Sequence, residues 1–176
     1  YNSQWVVRNS RLKMFNSGSA VHQDTPDIAG ATIVDASDPA FSFVEVTDGK
    51  LDWCIKPHDY ITSVTETNGT VLAWLDSDPT APLFARFEAG VEYYPGSVEM
   101  PAGPRTYFGF GNDANGFSNF FPLTDNARKV YWAEILNILG LPIEEEIVNP
   151  DPYAILDPAY LKAEDLLPGM SIVEMG

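Results

Sequence analysis

The stretch 109–122, GFGNDANGFSNFFP, contains residue types that occur in two kinds of ligand-binding loop. Gly109, Gly111 and Ala114 match G-x-G-x-x-A, the pattern by which a glycine loop approaches a dinucleotide pyrophosphate. That chemistry requires a helix to begin inside the glycine motif, so that its N-terminus meets the phosphates. The next helix signal comes only at Thr124, and we therefore predict that this stretch does not bind a dinucleotide.

Asp113 and Asn115 in the same stretch carry oxygen donors of the kind that bind calcium. When Gly116 is aligned with the invariant glycine of a calcium loop, Pro122 falls where the bidentate glutamate belongs. A full calcium loop is therefore not predicted, but a looser ligand or calcium site at Asp113 and Asn115 stays open. The alternative is a long turn in which glycine and asparagine adopt positive φ.

Cysteine, histidine and tryptophan side chains offer further chemistry outside this stretch. Cys54 and His58 are close in sequence, but Pro57 argues against the helix that would bring them together as a dyad. Cys54 is the only cysteine, which excludes a disulfide framework, and we predict a buried structural thiol. Trp5 and Trp53 lie outside the clearest strand and helix patterns and are therefore the candidates for an aromatic platform that binds a carbohydrate, with Trp53 singled out as a ligand-binding residue.

The chain is strongly acidic, with 25 Asp and Glu against 10 Lys and Arg and a net charge of −15 over 176 residues. Such a field repels phosphate backbones and anionic lipid surfaces, so nucleic acid is not an expected partner. No apolar run approaches the roughly 18 residues that cross a bilayer, and no membrane span is predicted. The chain begins at Tyr1 rather than Met, which is consistent with either a processed mature chain or an excised fragment, and we expect a secreted or extracellular protein.

Local patterns predict a β-rich α/β fold with a mixed sheet and one main C-terminal helix. The helix should begin after Thr124, a natural N-cap, and end at Gly140. Residues 22–30 read as a loop that ends at Gly30. Apolar residues at helical spacing should form the buried helix face: Ala127, Val130, Tyr131, Ile135, Ile138 and Leu139. Strands are predicted at 31–35, 41–46, 70–76, 82–90, 91–94 and 105–111.

Four pieces of the sequence carry a family resemblance: IVDASDPAF, NGTVLAWLDSDPTAPLFARFEAG, GPRTYFGFGND and LTDNARKVYWAEILNILG. In this order they resemble the C-terminal half of ThuA-like domains, flavodoxin-like relatives of class I glutamine amidotransferases. The resemblance implies that 109–122 lies at the sheet edge where open α/β folds bind ligands. It implies no catalytic residue, because Asp38-Pro39 lacks the neighbouring histidine of the family and Cys54 lacks a glycine-rich elbow.

The C-terminal 30 residues, 147–176, differ in character from the single globular domain predicted for residues 1–146, of which 1–30 form an irregular lead-in. They alternate prolines with short apolar pieces and end in the strand-like segment 171–175, SIVEM. We expect this arm to dock on a neighbouring copy by strand addition, which produces an oligomer or a filament. The predicted function is a non-enzymatic secreted structural or assembly module without a cofactor, unless calcium binds. The alternative is a ThuA-like sugar-handling enzyme or carbohydrate-binding module that contributes part of a site.

Overall fold

The computed structural model describes residues 14–17, 19–22, 28–55, 59–109 and 123–143. Within these residues the strands form a two-stranded sheet, β1-β4, and a five-stranded sheet in the order β3-β2-β5-β6-β7. Every neighbouring pair is antiparallel. The strands are β1 (Ser19–His22), β2 (Ile28–Ile33), β3 (Lys50–Ile55), β4 (Asp59–Thr62), β5 (Thr70–Leu75), β6 (Asp78–Phe87) and β7 (Arg105–Phe108).

The main helix α1 (Asp125–Leu139) begins and ends where the sequence predicts. The Thr124 side chain accepts a hydrogen bond from the amide of Ala127, and Asp125 places a negative charge in the first turn. Gly140 ends the helix with a φ of 65°, a left-handed conformation that glycine adopts without a steric penalty. The β-rich α/β fold with one main C-terminal helix is therefore confirmed, while the described sheet is antiparallel throughout rather than mixed.

Strand β6 separates two hydrophobic clusters, because its side chains alternate between the two faces of the sheet. Phe84 and Phe108 belong to the larger cluster, which includes Ala127 and Val130 of α1. Phe87 belongs to the second cluster, which lies on the opposite face. Its other members come from the N-terminal segment, from β4, β6 and β7, and from the segment that joins β6 to β7: Met14, Phe15, Ile61, Ala85, Tyr93, Tyr94 and Tyr107. The sheet is therefore covered on both sides.

The buried face of α1 differs from the predicted one in its last turn. Ile138 and Leu139 are exposed, Leu139 by 63%. The predicted Ala127 and Val130 are buried, Tyr131 and Ile135 are only partly buried, and the other buried helix residues are Ala133, Glu134 and Leu136. The apolar pattern is misleading here, because it does not include the carboxylate that the fold buries in the middle of the helix.

Two strand predictions and one loop prediction also differ from the structure. The segment 41–46 is not a strand, because Pro39 and a hydrogen bond from the Ala40 amide to Asp38 turn the chain into a short 3-10 helix, Pro39–Phe41. The segment 91–94 is irregular, and Gly30 lies inside β2 rather than in a loop. The strands predicted at 70–76 and 82–90 are present as the hairpin β5-β6, with Leu75 opposite Asp78, but β6 begins at Asp78 rather than at residue 82.

Candidate functional site

The residues predicted to bind ligands do not form a site in the described part of the chain. Asp113 and Asn115 lie outside the described residues, so the calcium hypothesis stays a prediction. Trp53 is completely buried. Its indole nitrogen donates a 3.0 Å hydrogen bond to the carbonyl of Gly109, and its ring stacks on Phe108 with 5.8 Å between centroids. A sugar cannot reach this ring, and Trp53 is a core residue rather than a carbohydrate platform.

Cys54 is also buried, with 2% of its surface exposed. It lies on β3 next to Trp53, at the point where Leu123 forms an antiparallel bridge to this strand. The predicted burial of the thiol is therefore confirmed. His58 lies outside the described residues.

An ionic cluster that was not predicted lies between β6 and α1. Glu134 of α1 is 1% exposed, and its carboxylate accepts a 2.8 Å hydrogen bond from Nε of Arg86. The two terminal nitrogens of Arg86 bind the carboxylate of Asp38, at 2.6 and 2.9 Å. Thr106 of β7 donates a 2.7 Å hydrogen bond to the same Glu134 carboxylate, and Asn137 donates a longer one of 3.3 Å. We refer to Arg86, Asp38, Glu134 and Thr106 as the Arg86 cluster.

The electrostatics of the Arg86 cluster indicate a structural role. Burial alone lowers the pKa of Arg86, but hydrogen bonds and charge from Glu134 and Asp38 outweigh burial and raise the pKa above its ordinary value. Arg86 is therefore permanently charged, and its Nε and both terminal nitrogens donate to protein carboxylates. The cluster joins β6, the turn after β2, β7 and α1.

Sequence signals for this cluster were present. Arg86 is the only charged residue in the apolar run APLFARF, and a buried guanidinium requires a carboxylate partner. Glu134 occurs at helical spacing from Ala127 and Val130, on the face that the pattern assigns to the core. A search for the partner of a lone arginine in a buried strand would identify this pair.

The outer edge of β7 is the second feature of this region. In the described residues no strand pairs with β7 on the side away from β6. The amide of Gly109 donates a hydrogen bond to the carbonyl of Leu83. Because the backbone groups of successive residues in an antiparallel strand point to opposite sides, those of Tyr107 and Arg105 also point toward β6. The N–H and C=O groups of Thr106 and Phe108 therefore point away from the sheet.

The opposite edge of the same sheet is closed. There Leu123 bridges Cys54, and the amide of Thr124 donates a 3.0 Å hydrogen bond to the carbonyl of Trp53. The Thr124 hydroxyl donates a 2.6 Å hydrogen bond to the carbonyl of Asp52. The two edges therefore differ: the segment before α1 covers β3, while β7 has no such cover among the described residues.

The side chains of β7 hold this open edge in a fixed position. Thr106 is bound to Glu134, and Phe108 stacks on Phe84 with 4.5 Å between centroids. On the other face Tyr107 packs edge-on against Phe15, at 5.0 Å. Because all three side chains are held by the two cores, the outward backbone groups are presented by a rigid strand. A rigid, unpaired edge is suited to pairing with an additional strand.

A second polar contact joins β4 to the start of β6. Asp78 accepts hydrogen bonds from the hydroxyl of Thr62 and from the hydroxyl and the amide of Thr80. Burial alone raises the pKa of Asp78, but these hydrogen bonds outweigh it and lower the pKa below its ordinary value.

We expect Asp78→Asn to remove part of the pH dependence of stability. A lowered folded-state pKa contributes stability that is complete above about pH 5 and is lost as the pH falls below about 4. The wild-type protein should exceed the variant in free energy of unfolding by about 1 kcal/mol at pH 6, and the difference should shrink by pH 3. Urea unfolding at both pH values measures it. Glu45→Gln, at an exposed carboxylate, is the control, and a constant Asp78→Asn difference would contradict the assignment.

Comparison of the chain with protein-family models, with curated proteins and with solved structures finds no match. The resemblance to ThuA-like domains therefore stays a prediction. Among the described residues no helix is long and apolar enough to cross a membrane. The same part of the chain contains no group of three or more His, Cys, Asp or Glu side chains placed to hold a metal ion.

Proposed function

We propose that this protein is a non-enzymatic structural or assembly module that works outside the cell and forms oligomers through its terminal arms. The observation that carries the proposal is the open edge of β7, held in position by the Arg86 cluster and by Phe108. An exposed strand edge pairs readily with a further strand unless it is covered or charged. Here only Arg105, at the start of the strand, is charged.

The C-terminal sequence supplies the other half of the proposed contact. It leaves α1 at an exposed apolar end formed by Ile138, Leu139 and Leu141. The following residues carry many large apolar side chains among prolines, and such a segment gains stability only when it docks on a folded surface. A contact that joins an arm to an edge on another copy is head-to-tail, so it forms a ring or an open filament.

The alternative of a ThuA-like sugar-handling module has less support. Its predicted aromatic residue, Trp53, is buried, and the aromatic face is covered by Phe108. Calcium binding at Asp113 and Asn115 is compatible with either function.

Truncation after Glu146 is expected to convert an oligomer into a monomer. The truncated chain retains every described element and therefore should fold, but it lacks the docking arm. Native mass in solution, measured for the full chain and the truncated chain over a range of concentrations, tests the expectation. Far-UV circular dichroism and urea unfolding confirm that the truncated domain is folded. An unchanged native mass in a folded truncated protein would exclude assembly through this arm.

A further inference from the structure

We infer that the open edge of β7 binds residues 171–175 of a second copy of this chain, antiparallel and with Glu174 beside Arg105. The inference rests on the proposed function. It adds which strand edge binds the arm, which residues of the arm bind there, and which residues of the two strands lie opposite each other. Such a strand would bond to the outward N–H and C=O groups of Thr106 and Phe108, which are the groups that β6 leaves unpaired. Residues 173 and 171 would then be their hydrogen-bonded partners.

Charge and apolar character select this register. Arg105 and Tyr107 lie on the face of β7 opposite α1, and side chains directly across an antiparallel pair share a face. With Glu174 beside Arg105, Ile172 lies beside Tyr107, next to the aromatic cluster that contains Phe15. A slip of two residues in one direction places Glu174 against Tyr107, and in the other direction it places Ile172 beside Arg105.

Arg105 is available for this partner. Its side chain is exposed, and its only hydrogen bond among the described residues is a 3.3 Å contact with the carbonyl of Pro104. By contrast, Arg86 and Lys50 both have carboxylate partners. In a chain with a net charge of −15, an unpaired arginine at a strand edge attracts an acidic segment, and 171–175 contains one acid, Glu174.

The direction of α1 determines how an arm of the same chain would have to approach this edge. Tyr131 packs against Phe108 at 5.1 Å, and Glu134 binds Thr106, so α1 runs toward the Arg105 end of β7. An arm that leaves α1 at that end must return past the whole strand before it can pair in the inferred direction. The chain that precedes residue 171 is long enough to extend beyond its own domain, because an extended chain covers about 3.3 Å per residue.

Disulfide trapping between two different full-length variants tests the contact. Arg105→Cys protein is mixed with Glu174→Cys protein under mild oxidation. Arg105 and Glu174 would form a non-hydrogen-bonded pair, with Cα atoms about 4.5 Å apart, within the range that a disulfide bridges. We expect a covalent heterodimer as the main product. Wild-type protein, whose Cys54 is buried, is the oxidation control.

Two outcomes would overturn the inference. A mixture of Arg105→Cys with Ile172→Cys that cross-links as efficiently would exclude the register. A disulfide that forms only within a single chain carrying both substitutions would exclude the second copy. If truncation after Glu146 abolishes the oligomer while neither mixture cross-links, assembly through the arm stands and the β7 edge is excluded as its acceptor.

Charge reversal provides an independent readout. Arg105→Glu should weaken self-association at least about threefold, because it places two carboxylates side by side. Combining it with Glu174→Arg should restore the affinity, since the pair is then reversed rather than removed. Sedimentation equilibrium of the three proteins measures the effect. Absence of rescue in a folded double variant would contradict the Arg105–Glu174 pair.

Discussion

Glu134→Ala is expected to lower the free energy of unfolding by about 3–5 kcal/mol, the usual cost of removing one partner from a buried ion pair. Glu134 is 1% exposed and accepts hydrogen bonds from Arg86 and Thr106. Its removal leaves the Arg86 guanidinium with Asp38 as its remaining carboxylate partner and leaves the Thr106 hydroxyl without its acceptor. Urea unfolding at neutral pH, monitored by tryptophan fluorescence, measures the loss.

An exposed ion pair provides the matched control. Lys50 binds Asp76 at 2.8 Å on the surface, and Lys50→Ala should cost clearly less than Glu134→Ala because solvent screens the exposed pair. Glu134→Gln keeps the volume and one acceptor for Thr106, so its effect should lie between the two. Equal losses for Glu134→Ala and Lys50→Ala would mean that the Arg86 cluster does not stabilise the fold.

Trp53→Ala should destabilise the domain by about 3–5 kcal/mol, because it removes the largest completely buried side chain among the described residues. The substitution removes the stacking of Trp53 on Phe108 and the hydrogen bond to the carbonyl of Gly109. Trp53→Phe keeps an aromatic ring and loses the hydrogen bond, and about 1–3 kcal/mol is expected for it. Thermal and urea unfolding of both variants measure the two losses.

Trp132→Ala removes the same type of side chain from a half-buried position on α1. It should therefore cost clearly less than Trp53→Ala. A neutral result for Trp53→Ala would show that the ring is not part of the core, and the carbohydrate hypothesis for Trp53 would have to be reconsidered.

The features predicted best from the sequence depend on local interactions. Thr124 and Gly140 set the bounds of α1 through a side-chain cap and a left-handed glycine, and both act within one helical turn. The hydrogen bond from the Thr80 amide to Asp78 at the start of β6 is similar, because it spans only two residues. For such features the neighbouring residues determine the structure.

The features that the sequence did not reveal depend on distant partners. The segment 41–46 is rich in aromatic and β-branched residues like a strand, but Phe41 packs against Phe84 from a short 3-10 helix instead. The residues around Trp53 show no clear strand or helix periodicity. Its burial depends on contacts with Phe108 and Gly109, which are distant in sequence. The open edge of β7 depends on the order of all five strands in the sheet, which no local pattern encodes.

The Arg86 cluster has a consequence for the order in which the chain acquires its structure during synthesis. Its members are Asp38, Arg86, Thr106 and Glu134. Glu134, the last of them in the sequence, is synthesised only after most of the chain. Until α1 emerges, Arg86 lacks the carboxylate that lies beneath its strand, and the face of the sheet around Phe84 lacks its cover. The nascent protein therefore cannot complete its core until α1 has been synthesised, because the core depends on contacts distant in sequence.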